Sequence, residues 1–185
     1  MHVTPDPNEV KKVFSELSSD SSFEESRKLA EAGLPVVEML QAMSMQPAIL
    51  KAFAGFGEAI YPGGSLPREL KERVILKASL LNSCQFCAGS HIDLIKQLGI
   101  ASEPVTHLDQ IAAESDKDKL VLEYTELVTK DSNRVTAKVM DNLRQYFSEP
   151  EIVELTFLIG FINMLNRFNN ALGVRYNGDY GSPTQ

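Results

Sequence analysis

The stretch Glu72–Gly99, ERVILKASLLNSCQFCAGSHIDLIKQLG, decides how this chain is read. Apolar residues recur through it at helical spacing, with one polar interruption at Asn82-Ser83. Both interrupting residues favour helix N-caps, so the pattern predicts one helix ending near Leu81 and a second starting at Cys84. Gly99 after Leu98 suits the C-terminal stop of that second helix. Cys84-Gln85-Phe86-Cys87 therefore falls in a first helical turn, where two thiols can join with little backbone movement. A helix N-terminus favours negative charge, which lowers the cost of forming a thiolate there. Cys87 and His91 are one turn apart on the same face, so the imidazole is within reach of the sulfur. A base beside a thiol is the usual way to activate it as a nucleophile.

Outward from this segment the helical period continues. Val10, Val13, Phe14 and Leu17 mark a first helix from about Asn8. A second runs from about Phe23 to Leu40, with Gly33 and Pro35 placed to kink or split it. Pro47 suits the first turn of a third helix through Ile60, and Tyr61-Pro62-Gly63-Gly64-Ser65 is the clearest loop. Leu66-Pro67-Arg68-Glu69 opens the helix that carries Glu72. Further helices are predicted at about 104–113, 117–130 and 136–146. A last one opens at Ser148-Glu149-Pro150-Glu151, with its own capping residues, and runs to Leu172-Gly173. The tail after Arg175 reads as loose. No segment alternates as a strand does, so the fold class expected is all-α: a single-domain helical bundle with an N-terminal helical arm over 1–45, a core over 46–176 and a tail over 177–185.

The 185 residues suit one domain, and a formal charge of −7 repels phosphate backbones and anionic lipid. Nucleic acid and membrane surfaces are accordingly not expected as partners. No apolar run reaches the roughly 18 residues of a membrane span. The start, Met1-His2-Val3-Thr4-Pro5-Asp6-Pro7, lacks the features of a signal peptide. Only two cysteines are present, and so short a spacing closes almost no loop as a staple. Their value is chemical, and the cytoplasm is the compartment expected.

The residues alone leave three readings of the pair. Cys84 and Cys87 are small core residues, or two ligands of a structural zinc with His91 and a fourth such as His107, or a redox dithiol. Structural zinc usually takes two paired ligand clusters, and no second Cys or His pair exists here. The dithiol is the favoured reading. Met39, Met43 and Met45 read as flexible filler rather than a metal box, and no flavin, haem or nucleotide motif is visible. Shifting the chain by 79 residues lays Cys84, Cys87 and His91 over Asn163, Asn166 and Asn170. The last helix is then either a degenerate copy of the thiol-bearing unit or a polar stripe that bonds across a helix interface.

Glu72…Cys84-x-x-Cys87-x-x-x-His91 resembles the core motif of the alkylhydroperoxidase D family, within the carboxymuconolactone decarboxylase-like superfamily. The text around it agrees: Leu66-Pro67 before the helix, Leu81-Asn82-Ser83 before the first cysteine, and Phe147-Ser148 and Asn166-Arg167-Phe168-Asn169 later on. The resemblance spans about Gln46 to Val174. It implies Cys87 as attacking thiol, Cys84 as resolving thiol, His91 as proton carrier and Glu72 as base through water, with a raised pKa. It also implies a peroxide or disulfide substrate, a dithiol electron donor such as a lipoyl protein, and a homo-oligomer, trimer or hexamer. Neither a cofactor nor a metal is implied. One departure stands out, because the family's best characterised type has a histidine where this chain has Phe86, and a phenyl ring relays no protons. A lactone decarboxylase-like lyase and a non-enzymatic redox sensor or binding module are the alternatives.

Overall fold

The computed structural model of the chain describes residues 1–17, 21–99 and 115–178, together with Ile111 and Ala113. Helices α1 (Pro7–Glu16), α2 (Glu24–Glu31), α3 (Glu38–Ser44), α4 (Pro47–Ile60) and α5 (Arg68–Leu81) form the first half. They are followed by α6 (Gln85–Gln97), α7 (Asp116–Asp131), α8 (Ala137–Leu143) and α9 (Glu149–Leu172), and the described residues include no strand. The segment 23–40 splits at Gly33-Leu34-Pro35, as its breakers require, into α2 and α3. The predicted helix at 104–113 and His107 lie outside the described residues.

Helix α5 sits at the centre, packed against α6, α7 and α9. Leu70, Lys71, Glu72, Val74, Ile75 and Leu76 are all buried along it, so water meets no continuous face of this helix. A helix buried all round must find partners for every polar side chain it carries. Lys71 and Glu72 are its two wholly buried charged side chains, and they turn to different sets of partners.

Lys71 Nζ donates to the Ile60 carbonyl at 2.9 Å and to that of Gly63, and pairs with Glu154 of α9 at 2.6 Å. Glu154 in turn accepts from the backbone N–H groups of Ser65 and Leu66, at 2.8 and 3.1 Å. The loop between α4 and α5 is thereby fastened to α9. Gly64 stands at φ 87°, and a Cβ there would fall 2.2 Å from a Glu154 oxygen, so neither its conformation nor its space admits another residue.

The first 45 residues are not a detached appendage. Val10, Phe14 and Phe23 pack in one core with Leu50 of α4, Val74 of α5 and Leu155 of α9. At the other end, α9 stops at Gly173 in the left-handed conformation, φ 61°. The chain beyond it, expected to be loose, docks at Tyr176: its hydroxyl donates to Asp93 at 2.5 Å and its ring meets Phe86 edge-on at 6.1 Å.

Candidate active site

The turn between α5 and α6 carries the chemistry. Asn82 ends α5, Ser83 adopts φ 53°, and Cys84, not Ser83, is the N-cap of α6. Cys84 Sγ accepts the backbone N–H of Cys87 at 3.3 Å, so the first sulfur does the work expected of a hydroxyl. A left-handed serine is uncommon, and α9 holds the turn that demands it. Asn82 Nδ2 donates to Asn163 Oδ1 and to Asn166 Oδ1, each at 2.9 Å, and Asn170 Nδ2 donates to the Asn82 carbonyl at 2.9 Å. The three asparagines are therefore the cross-helix polar stripe. They are not a copy of the thiol unit, because α9 runs unbroken from Glu149 to Leu172 with no counterpart of the break at Asn82-Ser83.

Both sulfurs are buried, Cys84 at 1% exposure and Cys87 at 3%. Both are free thiols. Their surroundings differ. Cys87 lines a cavity of about 540 Å³, and Cys84 does not. The other walls are mostly apolar, with Leu40, Phe53, Phe86, Phe161 and Leu165 among them, and His91, Tyr61 and Glu58 add polar groups. The hydrogen bond between the two thiols pulls the pair apart electrically. It holds Cys84 below the ordinary thiol range, against burial. It pushes Cys87 up, and burial adds to that. The pair gives up its first proton more easily than its second.

Glu72, wholly buried, organises the polar wall of the cavity. Its Oε1 accepts from the Tyr61 hydroxyl at 2.6 Å and from Arg68 Nε at 2.5 Å, and its Oε2 lies 2.7 Å from His91 Nδ1. Arg68 Nη2 donates to the Tyr61 oxygen at 2.6 Å, and its guanidinium lies over the Tyr61 ring, 4.2 Å from the centroid. Burial would push the Glu72 carboxyl up, but the bonds from His91, Tyr61 and Arg68 outweigh it and hold the group below the usual carboxylate range. The raised pKa expected of Glu72 is therefore reversed. An ionised carboxylate can only accept, so Nδ1 of His91 carries a proton and Nε2 is the nitrogen left for the cavity. Tyr61 itself is pushed up by burial and by the Glu72 charge.

His91 bonds to Glu72 rather than to either sulfur, although it shares a cavity wall with Cys87. Glu72, His91 and Cys87 thus converge, with Cys84 one turn behind. Tyr61, Arg68 and Asn169 were not singled out in this role by the sequence. Asn169 Nδ2, from α9, donates to Cys87 Sγ at 3.2 Å. Its Oδ1 is buried and accepts from nothing among the described residues, a state that costs about 1–3 kcal/mol. No cluster of three or more His, Cys, Asp or Glu side chains suited to a metal occurs among the described residues.

Residues 47–129 match the model of the carboxymuconolactone decarboxylase family, and the match contains Glu72, both cysteines and His91. Over that segment the chain is similar to the carboxymuconolactone decarboxylase family. The chain is also 28% identical over 115 residues to the uncharacterized protein YdfG of Bacillus subtilis (strain 168), covering 60% of this chain and 78% of that one. Its fold matches the crystal structure of an uncharacterized peroxidase-related protein from Silicibacter sp. TM1040, with TM-score 0.74 and 21% identity over 98% of this chain and 92% of that one. A second match is an alkylhydroperoxidase AhpD core protein, the uncharacterized peroxidase-related protein from Ralstonia eutropha JMP134. There the TM-score is 0.73 and the identity 19%, over 97% of this chain and 94% of that one. The alkylhydroperoxidase D-like fold is shown by these likenesses; at such identities they carry the fold alone.

Proposed function

We propose that this protein is a thiol-dependent peroxidase that reduces organic hydroperoxides to alcohols through Cys87 and Cys84. The observation that carries the reading is the shared wall: Cys87 and His91 face one largely apolar cavity, and Cys84 sits directly behind Cys87. His91 Nε2 takes the proton that Cys87 otherwise holds, the thiolate so formed attacks the terminal peroxide oxygen, the O–O bond breaks, and an oxygen with its hydrogen passes to sulfur as a sulfenic acid. The departing alkoxide takes that proton back from His91, whose orientation Glu72 fixes. Cys84 then attacks the sulfenic sulfur, water leaves, and the pair is a disulfide. A dithiol donor, of lipoyl type or another small thiol, returns two electrons by exchange. The same pocket and pair would serve an apolar disulfide by that exchange alone.

The apolar lining favours a substrate with a hydrocarbon body over hydrogen peroxide, because burying it gains about 25 cal/mol per Å². Phe86, in place of a relaying histidine, adds to that lining. The cytoplasm is the compartment proposed. The assembly proposed is a homo-oligomer, joined through the apolar groove where α4 meets α9.

The test is a count of free thiols in fully reduced protein, before and after one equivalent of cumene hydroperoxide. Loss of two thiols within seconds is expected. Two thiols unchanged after minutes would sink the peroxidase reading and leave disulfide exchange to be tried with a small aromatic disulfide.

A further inference from the structure

Asn169 stands on α9, far along the chain from the thiols, yet its amide meets the attacking sulfur. Nδ2 donates to Cys87 Sγ at 3.2 Å and to Met39 Sδ at 3.5 Å. A thioether has only lone pairs to offer, so the nitrogen and not the oxygen must face the two sulfurs. Oδ1 is thereby committed to a position where no donor among the described residues meets it. The side chain is 1% exposed and lines the cavity. A buried acceptor without a donor is rare, and one that lies beside a reacting atom invites a chemical explanation.

We propose that Asn169 is a further catalytic residue: its amide N–H holds the Cys87 sulfur as the attacking thiolate, and its Oδ1 accepts the O–H of the sulfenic acid that Cys87 becomes. Peroxide attack is the step that creates the missing donor. When the terminal oxygen and its hydrogen move onto Sγ and the alkoxide leaves, a new O–H stands beside the amide that already touches that sulfur. The two amide atoms share one carbon, so a single side chain serves the thiolate before the step and the sulfenic acid after it. The second half of this inference rests on the peroxidase reading; the first half does not.

The experiment uses the full chain in a Cys84→Ser background, where one sulfur remains to titrate, with and without Asn169→Leu. Thiolate absorbance at 240 nm is followed against pH. Losing a hydrogen bond to a charged group should move the midpoint up by about 1–2 pH units. An unmoved midpoint overturns the thiolate half. Each protein then receives one equivalent of cumene hydroperoxide, and the sulfenic acid is counted over time as its dimedone adduct. A lifetime several-fold shorter with Asn169→Leu is expected, and equal lifetimes overturn the sulfenic half. If no adduct forms in either protein while the midpoint moves, the sulfenic half falls with the peroxidase reading and the thiolate contact stands. Should Asn169→Leu fail to fold, the unsubstituted protein with labelled asparagine answers instead. The Asn169 side-chain amide resonances must move with the thiol titration, and fixed resonances overturn the thiolate half.

Discussion

Cys84 and Cys87 are divided by their hydrogen bonds. Cys84 receives an N–H and faces inward, whereas Cys87 borders the cavity beside the amide of Asn169. Loss of each therefore has a different result. Cys87→Ser should abolish hydroperoxide turnover, while Cys84→Ser should make one addition and stop as a sulfenic acid or mixed disulfide, visible as a mass increase on the intact chain. Glu72→Gln removes the anion that aims His91 and should lower kcat/KM for a hydroperoxide by about 100-fold, measured at neutral pH. The native carboxyl is held below its ordinary value of 4.5, so this clamp is complete above that pH and fails only as pH falls further. The thiol pair and His91 drew notice in the sequence by their helical spacing, and Glu72 only by its likeness to a family motif. Tyr61 and Asn169 were not, since their roles arise from contacts 11 and 82 residues away.

At the level of elements, helix α4 was legible to the residue, because Pro47 at its start and the Pro-Gly loop after it leave little freedom. The start of α6 was displaced by one position. Serine is the better cap by type, but the turn places Ser83 at φ 53° and brings the sulfur of Cys84 to the cap instead. Lys71 gave no sign of being buried, since a lysine in a helix is normally solvated; only packing on all sides of α5 imposes its pairing with Glu154. Lys71→Met should cost about 3–5 kcal/mol in urea unfolding by leaving the Glu154 carboxylate uncompensated, and adding Glu154→Gln should recover part of that loss. Burial works to raise the Glu154 carboxyl, but Lys71, Ser65 and Leu66 hold it at about 2 against an ordinary 4.5. Its folded pKa is depressed, so its contribution is whole above pH 4.5 and is lost as pH falls toward 2. Thermal melts across that window should show a shallower decline for Glu154→Gln than for the unsubstituted protein.

At the level of the molecule, no local pattern announces the cavity. Its walls come from as far apart as Phe23 and Asn169, and only the completed fold brings them together. The outer surface carries a second apolar feature, where α4 and α9 expose Phe56, Val153, Phe157 and Met164 along a groove. Phe56 and Phe157 already meet there with tilted rings, their centroids 5.7 Å apart. In the proposed homo-oligomer this groove is the buried contact. Phe157→Glu should shift the protein toward monomer in light scattering after size exclusion, with its helical circular dichroism unchanged. An unchanged mass would remove this face from the assembly.

The Cys84 cap also gives the dithiol a means of recording its own history. In the reduced protein the first turn of α6 is pinned by a sulfur that can carry charge. Once that sulfur is spent in a disulfide it is neutral and a poorer acceptor, and a lost cap weakens a helix start by about 1 kcal/mol. Deuterium should then enter the amides at the beginning of α6 about fivefold faster after oxidation than before it. The backbone would thus keep a readable trace of the last turnover, without any larger rearrangement of the bundle.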